Sequence, residues 1–444
     1  MIKKAVILGA GESGTGAAVL AHKEGYAVFV SDYGSISDDH KQVFIDKAIE
    51  FEENTHSENR ILQADIIIKS PGIPEDVPIV KKARKNGISV ISEIEFAARS
   101  CQSKIIAITG SNGKTTTTLL SYHILKKAGL NVGLAGNVGQ SFAKQVAEND
   151  FDYYVLELSS FQLDGIDRFH ADIAVLLNIT PDHLDRYNNS MEEYIESKFR
   201  ITKNSQADDY IIYCADDPVL SEEIKKRDFK AQLIPFSIKE KLEFGAYKNT
   251  KKLIINMKEN SFESDINGLS LQGDHNVYNS MAAGIVARLN EVRSDTLRFA
   301  FSDFKNIDHR LENYISVRGV KFINDSKATN INSTWFGLHS INTKVVLIIG
   351  GLDKGNDYNV IKDLVRSKVK ALVCIGEDNK KIIDAFVGIT EIYERQDMFE
   401  AVKKAHELAD EGETVLLSPA CASQDRFKNY EDRGDQYKAA VREL

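Results

Sequence analysis

The chain is 444 residues long, too many for one hydrophobic core and suited to three domains of ~150 residues each. With 43% hydrophobic and 27% charged residues, it is neither collagen-like, low-complexity nor disordered. A net charge of −9 gives no global basic field, so a small-molecule partner is expected and nucleic acid is not. The four cysteines form no CxxC pair, which fits a reducing compartment. Apolar runs such as Ala5–Leu8 and Val345–Ile349 suit neither a signal peptide nor the ~20 residues of a membrane span. A cytoplasmic protein with no membrane partner is expected.

Short apolar runs alternate with helical periodicity along most of the chain, which predicts an α/β fold of parallel sheets with helices on both faces. The first run, Ala5–Leu8, leads into Gly9-Ala10-Gly11-Glu12-Ser13-Gly14 and a helical pattern, with Asp32 ending the second run. Taken alone this is a dinucleotide fingerprint, but the same device holds any nucleotide diphosphate. Ser70-Pro71-Gly72 forms a further turn at the same expected sheet edge. A polar stretch, Arg99–Lys104, precedes the next strand, and the first domain junction is expected near residue 97. Thr109-Gly110-Ser111-Asn112-Gly113-Lys114-Thr115-Thr116 then follows the strand Ile105–Ile108 and opens a helix. Its glycines let backbone amides approach phosphates, Lys114 reaches the outer phosphates, and Thr115 offers a hydroxyl to Mg²⁺. Ile108 stands where the common phosphate loop has its first glycine, so this is a shorter variant; ATP is the expected nucleotide.

Glu157 lies near the end of the run Tyr153–Leu158, a position suited to holding Mg²⁺ against phosphates. His183, in Asn178–Asp185, reads equally as ligand, base or packing. Lys198 shares a helical face with Met191, Tyr194 and Ile195, which leaves a snorkelling lysine and a reactive amine both open. Lys251–Leu271 alternates and predicts a small antiparallel insert, and the second junction is expected near Ile307. Beyond it, polar clusters at 324–330, 350–355 and 418–423 follow strands, predicting a third ligand-facing sheet edge.

In order, TGSNGKTT (109–116), ELSSFQL (157–163), NITPDHLDRY (178–187), GDHNVYN (273–279) and HRLE (309–312) resemble the Mur ligase family over essentially the whole chain. NDSKATN (324–330) and SPACASQDRFKNYEDRG (418–434) are similar to its D-glutamate-adding branch. The resemblance implies three domains: a Rossmann-like UDP-binding domain (1–96), a P-loop ATP-binding domain with a mostly parallel sheet (97–306), and a Rossmann-like amino-acid-binding domain (307–444). It implies a monomer that joins D-glutamate to UDP-N-acetylmuramoyl-L-alanine through an acyl phosphate, for peptidoglycan precursor synthesis.

The same likeness assigns residues. ATP would meet Gly110, Ser111, Asn112, Gly113, Lys114, Thr115, Thr116, Thr117, Asn276, Arg310 and Asp325, with Lys114 and Arg310 on the transferred phosphoryl group. His309 and Lys354 match positions near the nucleotide or a domain interface. Thr115 and Glu157 would hold one Mg²⁺, and His183 and Lys198 a second. Because hard cations want oxygen, Lys198 would act as a carbamate made with CO₂. The UDP-linked substrate would meet Ser13, Gly14, Asp32, Ser70, Gly72, Asn137 and Ser159. D-Glutamate would meet Lys327, Thr329, Ser423 and Tyr430; Gln424 stands where relatives usually carry an apolar residue. An NAD-dependent oxidoreductase would leave the phosphate loop, Glu157 and Lys198 without a purpose. A non-catalytic nucleotide-binding regulator would not need the acid, histidine and lysine metal candidates. The glycine-rich first domain argues against a folylpolyglutamate synthetase, and 324–330 against the sister Mur ligases.

Overall fold

A computed structural model describes residues 2–257, 260–304, 308–353 and 355–444. The first sheet holds five parallel strands: β1 (Lys4–Leu8), β2 (Ala27–Ser31), β3 (Glu50–Glu52), β4 (Ile66–Lys69) and β5 (Ser89–Ser92), in the order β3-β2-β1-β4-β5. The central β1 and β4 are almost wholly buried, and their runs of Ile and Val are what a sheet covered on both faces requires.

Among the described residues the second sheet has nine strands: β6 (Lys104–Thr109), β7 (Val132–Gly136), β8 (Tyr153–Glu157), β9 (Ile173–Leu176), β10 (Tyr210–Cys214), β11 (Gln232–Ser237), β12 (Gly245–Asn249), β13 (Lys252–Met257) and β14 (Asn260–Asp265). Their order is β14-β13-β12-β11-β10-β9-β6-β8-β7. Pairing is parallel from β7 across to β12, then antiparallel through β13 and β14. The antiparallel insert expected at 251–271 is thus present, with β12 grafting it onto the parallel part.

The third sheet comprises β15 (Glu312–Val317), β16 (Val320–Asn324), β17 (Val345–Ile349), β18 (Val369–Cys374), β19 (Glu391–Glu394) and β20 (Thr414–Leu417), ordered β15-β16-β20-β17-β18-β19. Among the described residues only its edge strand β15 runs antiparallel. Strands β3, β5 and β19, three or four residues with polar ends, carry too little pattern to be foreseen.

The described chain forms two compact units. One runs up to Gln272 and takes in Asn276–Phe304; the other joins Gly273–His275 to the chain beyond Phe304. The first unit therefore contains two sheets, and the helix Glu93–Ser100 fastens them together. Glu95 Oε2 accepts the amides of Asp167, Arg168 and Phe169 at 2.8, 2.9 and 2.8 Å. Glu93 Oε1 accepts from the Ser141 hydroxyl and the Ala143 amide, each at 2.6 Å, at the N-terminus of the helix Phe142–Glu148. The junction expected near residue 97 lies inside this helix; the one near Ile307 lies outside the described residues.

Candidate active site

The phosphate loop joins β6 to the helix Lys114–Lys127. Gly110 and Gly113 have φ of 155° and 86°, and a Cβ on Gly113 would lie 2.5 Å from Asn279 Oδ1. Glycine is needed at both positions. Ser111 and Asn112 do not turn their amides outward. The Ser111 amide donates to Asn178 O (2.9 Å), and the Asn112 amide to Asn178 Oδ1 (2.8 Å). The Ser111 hydroxyl is engaged with Thr180 O and Tyr194 Oη. The first turn of the helix, Lys114 to Thr116, carries amides for which a helix supplies no internal acceptor. Thr115, Thr116 and Thr117 are buried there. Thr117 donates to Asn279 Oδ1 (3.2 Å), and Asn279 Nδ2 donates to Asn276 Oδ1 (3.2 Å), tying Asn276 to the loop.

Beside the loop, Glu157 ends β8 with its carboxylate buried. Its Oε1 accepts from Asn137 Nδ2 at 2.8 Å, while Oε2 has no hydrogen-bond partner among the described residues. Asn137, expected on the UDP-linked substrate, thus also positions the acid. Ser159 caps the short helix Ser160–Leu163 in a capping box with Gln162.

Lys198 sits on the helix Met191–Phe199 and is 1% exposed. Its Nζ donates to Gly110 O (2.9 Å), which also receives Lys114 Nζ (2.8 Å), and lies 4.7 Å from the Tyr194 ring centroid. Among the described residues no carboxylate lies within ion-pair distance of it. Burial first, then the Lys114 ammonium, hold the Lys198 amine well below the ordinary lysine range. Snorkelling is excluded, because the amine itself is enclosed. His183 has a left-handed φ of 53°, and its Nε2 lies 3.6 Å from Asp182 Oδ1. Gly72, Lys114, Asn137, Ser159, His183 and Lys198 line one cavity of about 230 Å³ together with Asp182 and Tyr194. A larger groove of about 1230 Å³ is walled by other residues of the Lys198 helix, and no candidate residue lines it.

In the first sheet, Asp32 Oδ2 accepts the Ala10 amide (2.6 Å) and Oδ1 the Gly34 amide (2.8 Å), so it braces the glycine loop. Ser13 and Gly14 lie in the first turn of the helix Glu12–Lys23, where a Cβ on Gly14 would meet Gly9 O at 1.8 Å. Ser70 Oγ donates to Gly9 O at 3.3 Å.

The remaining candidates belong to the second compact unit. Asp325 is buried; its oxygens accept from the Leu311 amide (3.1 Å) and the Ser418 hydroxyl (2.8 Å). Burial pushes its carboxyl up to about 7, against the pull of the Ser418 bond and Arg310. Lys327 Nζ lies 5.0 Å from the Tyr430 ring centroid, Thr329 donates its amide to Lys327 O, and Ser423 is buried. Lys354 lies outside the described residues. Sequence reasoning gave no role to Asn178, Tyr194 or Arg433. Each lies beside an assigned residue, but which backbone groups it reaches is set by the fold.

Three family models match in chain order: the Mur ligase MurD-like N-terminal domain at residues 3–92, the Mur ligase middle domain at 108–287, and the Mur ligase glutamate ligase domain at 309–421. The chain belongs to the Mur ligase family. It is 54% identical over 445 residues to UDP-N-acetylmuramoylalanine--D-glutamate ligase of Bacteroides fragilis, covering 100% of both chains. Against the enzyme of that name in Christiangramia forsetii it is 50% identical, again over 100% of both. A solved pseudomurein peptide ligase type C from Methanothermus fervidus shares the fold, with a TM-score of 0.64 at 22% identity over 99% of each chain. Among the described residues no helix is long and apolar enough to cross a membrane.

Proposed function

We propose that this enzyme joins D-glutamate to UDP-N-acetylmuramoyl-L-alanine in the cytoplasm with conversion of ATP to ADP and phosphate. The carrying observation is the convergence of Lys114, Asn137 with its partner Glu157, His183 and Lys198 around one cavity beside the phosphate loop. The substrate's terminal carboxylate takes the γ-phosphoryl group, giving an acyl phosphate and ADP. The amine of D-glutamate then attacks the carbonyl carbon and loses a proton, and phosphate departs as the amide forms. Lys114 and the amides of the first helical turn offset charge on the transferred group, as would Arg310.

The residues fit two magnesium ions. Glu157 Oε2 is a buried carboxylate oxygen with no hydrogen-bond partner among the described residues, which suits an atom kept for a cation, and Thr115 would supply the hydroxyl from the first turn of the helix after the loop. Lys198 fits a carbamate: a neutral buried amine can bond to CO₂ carbon with loss of one proton, yielding carboxylate-like oxygens to serve beside His183. Magnesium, when bound, would neutralise phosphate oxygens. Lys327, Thr329, Ser423 and Tyr430 would receive D-glutamate; Ser13, Gly14, Asp32, Ser70, Gly72 and Ser159 would receive the UDP-linked substrate.

The test is phosphate release from ATP with UDP-N-acetylmuramoyl-L-alanine and D-glutamate, L-glutamate or no amino acid. Release that requires both the UDP-linked substrate and D-glutamate is expected. Release with another amino acid instead would overturn the acceptor.

A further inference from the structure

Arg433, on the helix Tyr430–Arg442, is a wholly buried cation to which the reaction above assigns nothing. Its guanidinium is spread across two segments. Nε donates to Ser326 Oγ (3.1 Å), Nη2 to Ser326 O (2.8 Å) and Nη1 to Cys421 O (3.1 Å). Ser326 Oγ in turn donates to Tyr430 O at 2.8 Å, so the same hydroxyl links the start of the Arg433 helix to the fork. No carboxylate lies within ion-pair distance of Arg433 among the described residues. Burial pulls the guanidinium down to about 10, which still leaves it charged at neutral pH. Asp425 and Asp325 attract the guanidinium from beyond ion-pair distance, but its hydrogen bonds named here all go to neutral oxygens, a costly way to bury a charge.

Ser326 immediately precedes Lys327 and lies three residues before Thr329; Cys421 lies two before Ser423; Tyr430 opens the helix that carries the arginine. These are the four residues assigned above to the amino-acid acceptor, and they come from three separate stretches of chain. Resting on that ligase reading, we propose that Arg433 is a positioning residue for the amino-acid acceptor. Its planar fork fixes the 324–330 segment against the 418–423 segment, so that the groups meeting D-glutamate keep one geometry. Lysine cannot replace it, because an ammonium carries the charge without the rigid fork.

The experiment measures KM for D-glutamate, ATP and the UDP-linked substrate in the full-length wild type, Arg433→Lys and Ser326→Ala, with thermal unfolding to verify folding. Arg433→Lys is expected to raise KM for D-glutamate about tenfold or more, as loss of charge-assisted bonds would, and to change the other two KM values by no more than about twofold. Ser326→Ala, which keeps the charge and removes one acceptor, is expected to raise the same constant to a smaller extent. An unchanged D-glutamate KM in a folded Arg433→Lys enzyme, or a common rise of all three constants, overturns the inference. If the lysine variant does not fold, Ser326→Ala decides by the same criterion. Wild type that turns over without D-glutamate overturns the underlying ligase reading, and the positioning role with it.

Discussion

Gly110 O accepts from Lys114 Nζ and Lys198 Nζ at once, at 2.8 and 2.9 Å. Burial first, and the neighbouring Lys114 ammonium second, hold the enclosed Lys198 amine well below the ordinary lysine range. Lys198 is therefore expected to be an amine ready for CO₂. Protein equilibrated with ¹³C-bicarbonate should give a carbamate carbonyl resonance that is missing in Lys198→Arg; a spectrum unchanged by that substitution would remove the carbamate. Glu93 makes a second residue-scale prediction. Burial pushes its carboxyl up to about 7 from an ordinary 4.5, with the bonds from Ala143 and Ser141 opposing. The native state thus binds a proton more tightly than the unfolded chain. The resulting stability is fully present below about pH 4.5 and lost as pH rises through about 7, on the order of 3 kcal/mol in all. Glu93→Gln has no such titration, so its unfolding free energy relative to wild type should climb between pH 5 and pH 8, as measured by urea denaturation. A pH-independent difference would refute the assignment.

At the scale of elements, the helix Glu93–Ser100 is a strut, with Ser92 as its N-cap and carboxylates reaching two separate parts of the central sheet's surroundings. Glu95 gives one oxygen to three consecutive amides and the other to Arg99 Nε (2.8 Å). Glu95→Gln weakens bonds to a charged acceptor and should destabilise the full chain by about 1.5–3 kcal/mol. Equilibrium unfolding in urea checks this, and a cost within experimental error would mean that the strut is dispensable. The phosphate-loop helix was legible from strand, glycines and Lys-Thr-Thr, since each residue type there answers a local demand. The commitment of the Ser111 and Asn112 amides to Asn178 was not. That bond joins residues 66 and more positions apart, and no periodicity reports such a distance.

At the scale of the whole molecule, the two compact units carry separate sheets and separate cores. Val345, Leu347, Ile361 and Leu372 pack within one, and Val6, Leu8, Ile67 and Val80 in the other. Separate cores should unfold as separate cooperative steps, so the calorimetric enthalpy should exceed the van't Hoff enthalpy for the full chain. Equality of the two would mean a single cooperative unit.

The sequence by itself determined the α/β class, the antiparallel insert, the phosphate loop and the family, because hydrophobic period, glycine placement and contiguous motifs are local properties of the chain. It marked Lys198 as unusual without deciding between a snorkelling and an enclosed amine. Only the tertiary structure decided that, by closing the loop and Tyr194 around Nζ and leaving the amine no carboxylate within ion-pair distance among the described residues. The orphaned Glu157 oxygen and the three-way grip of Arg433 belong to the same class of fact. Burial and the identity of a long-range partner depend on how distant segments pack, and packing is written in no single stretch of residues.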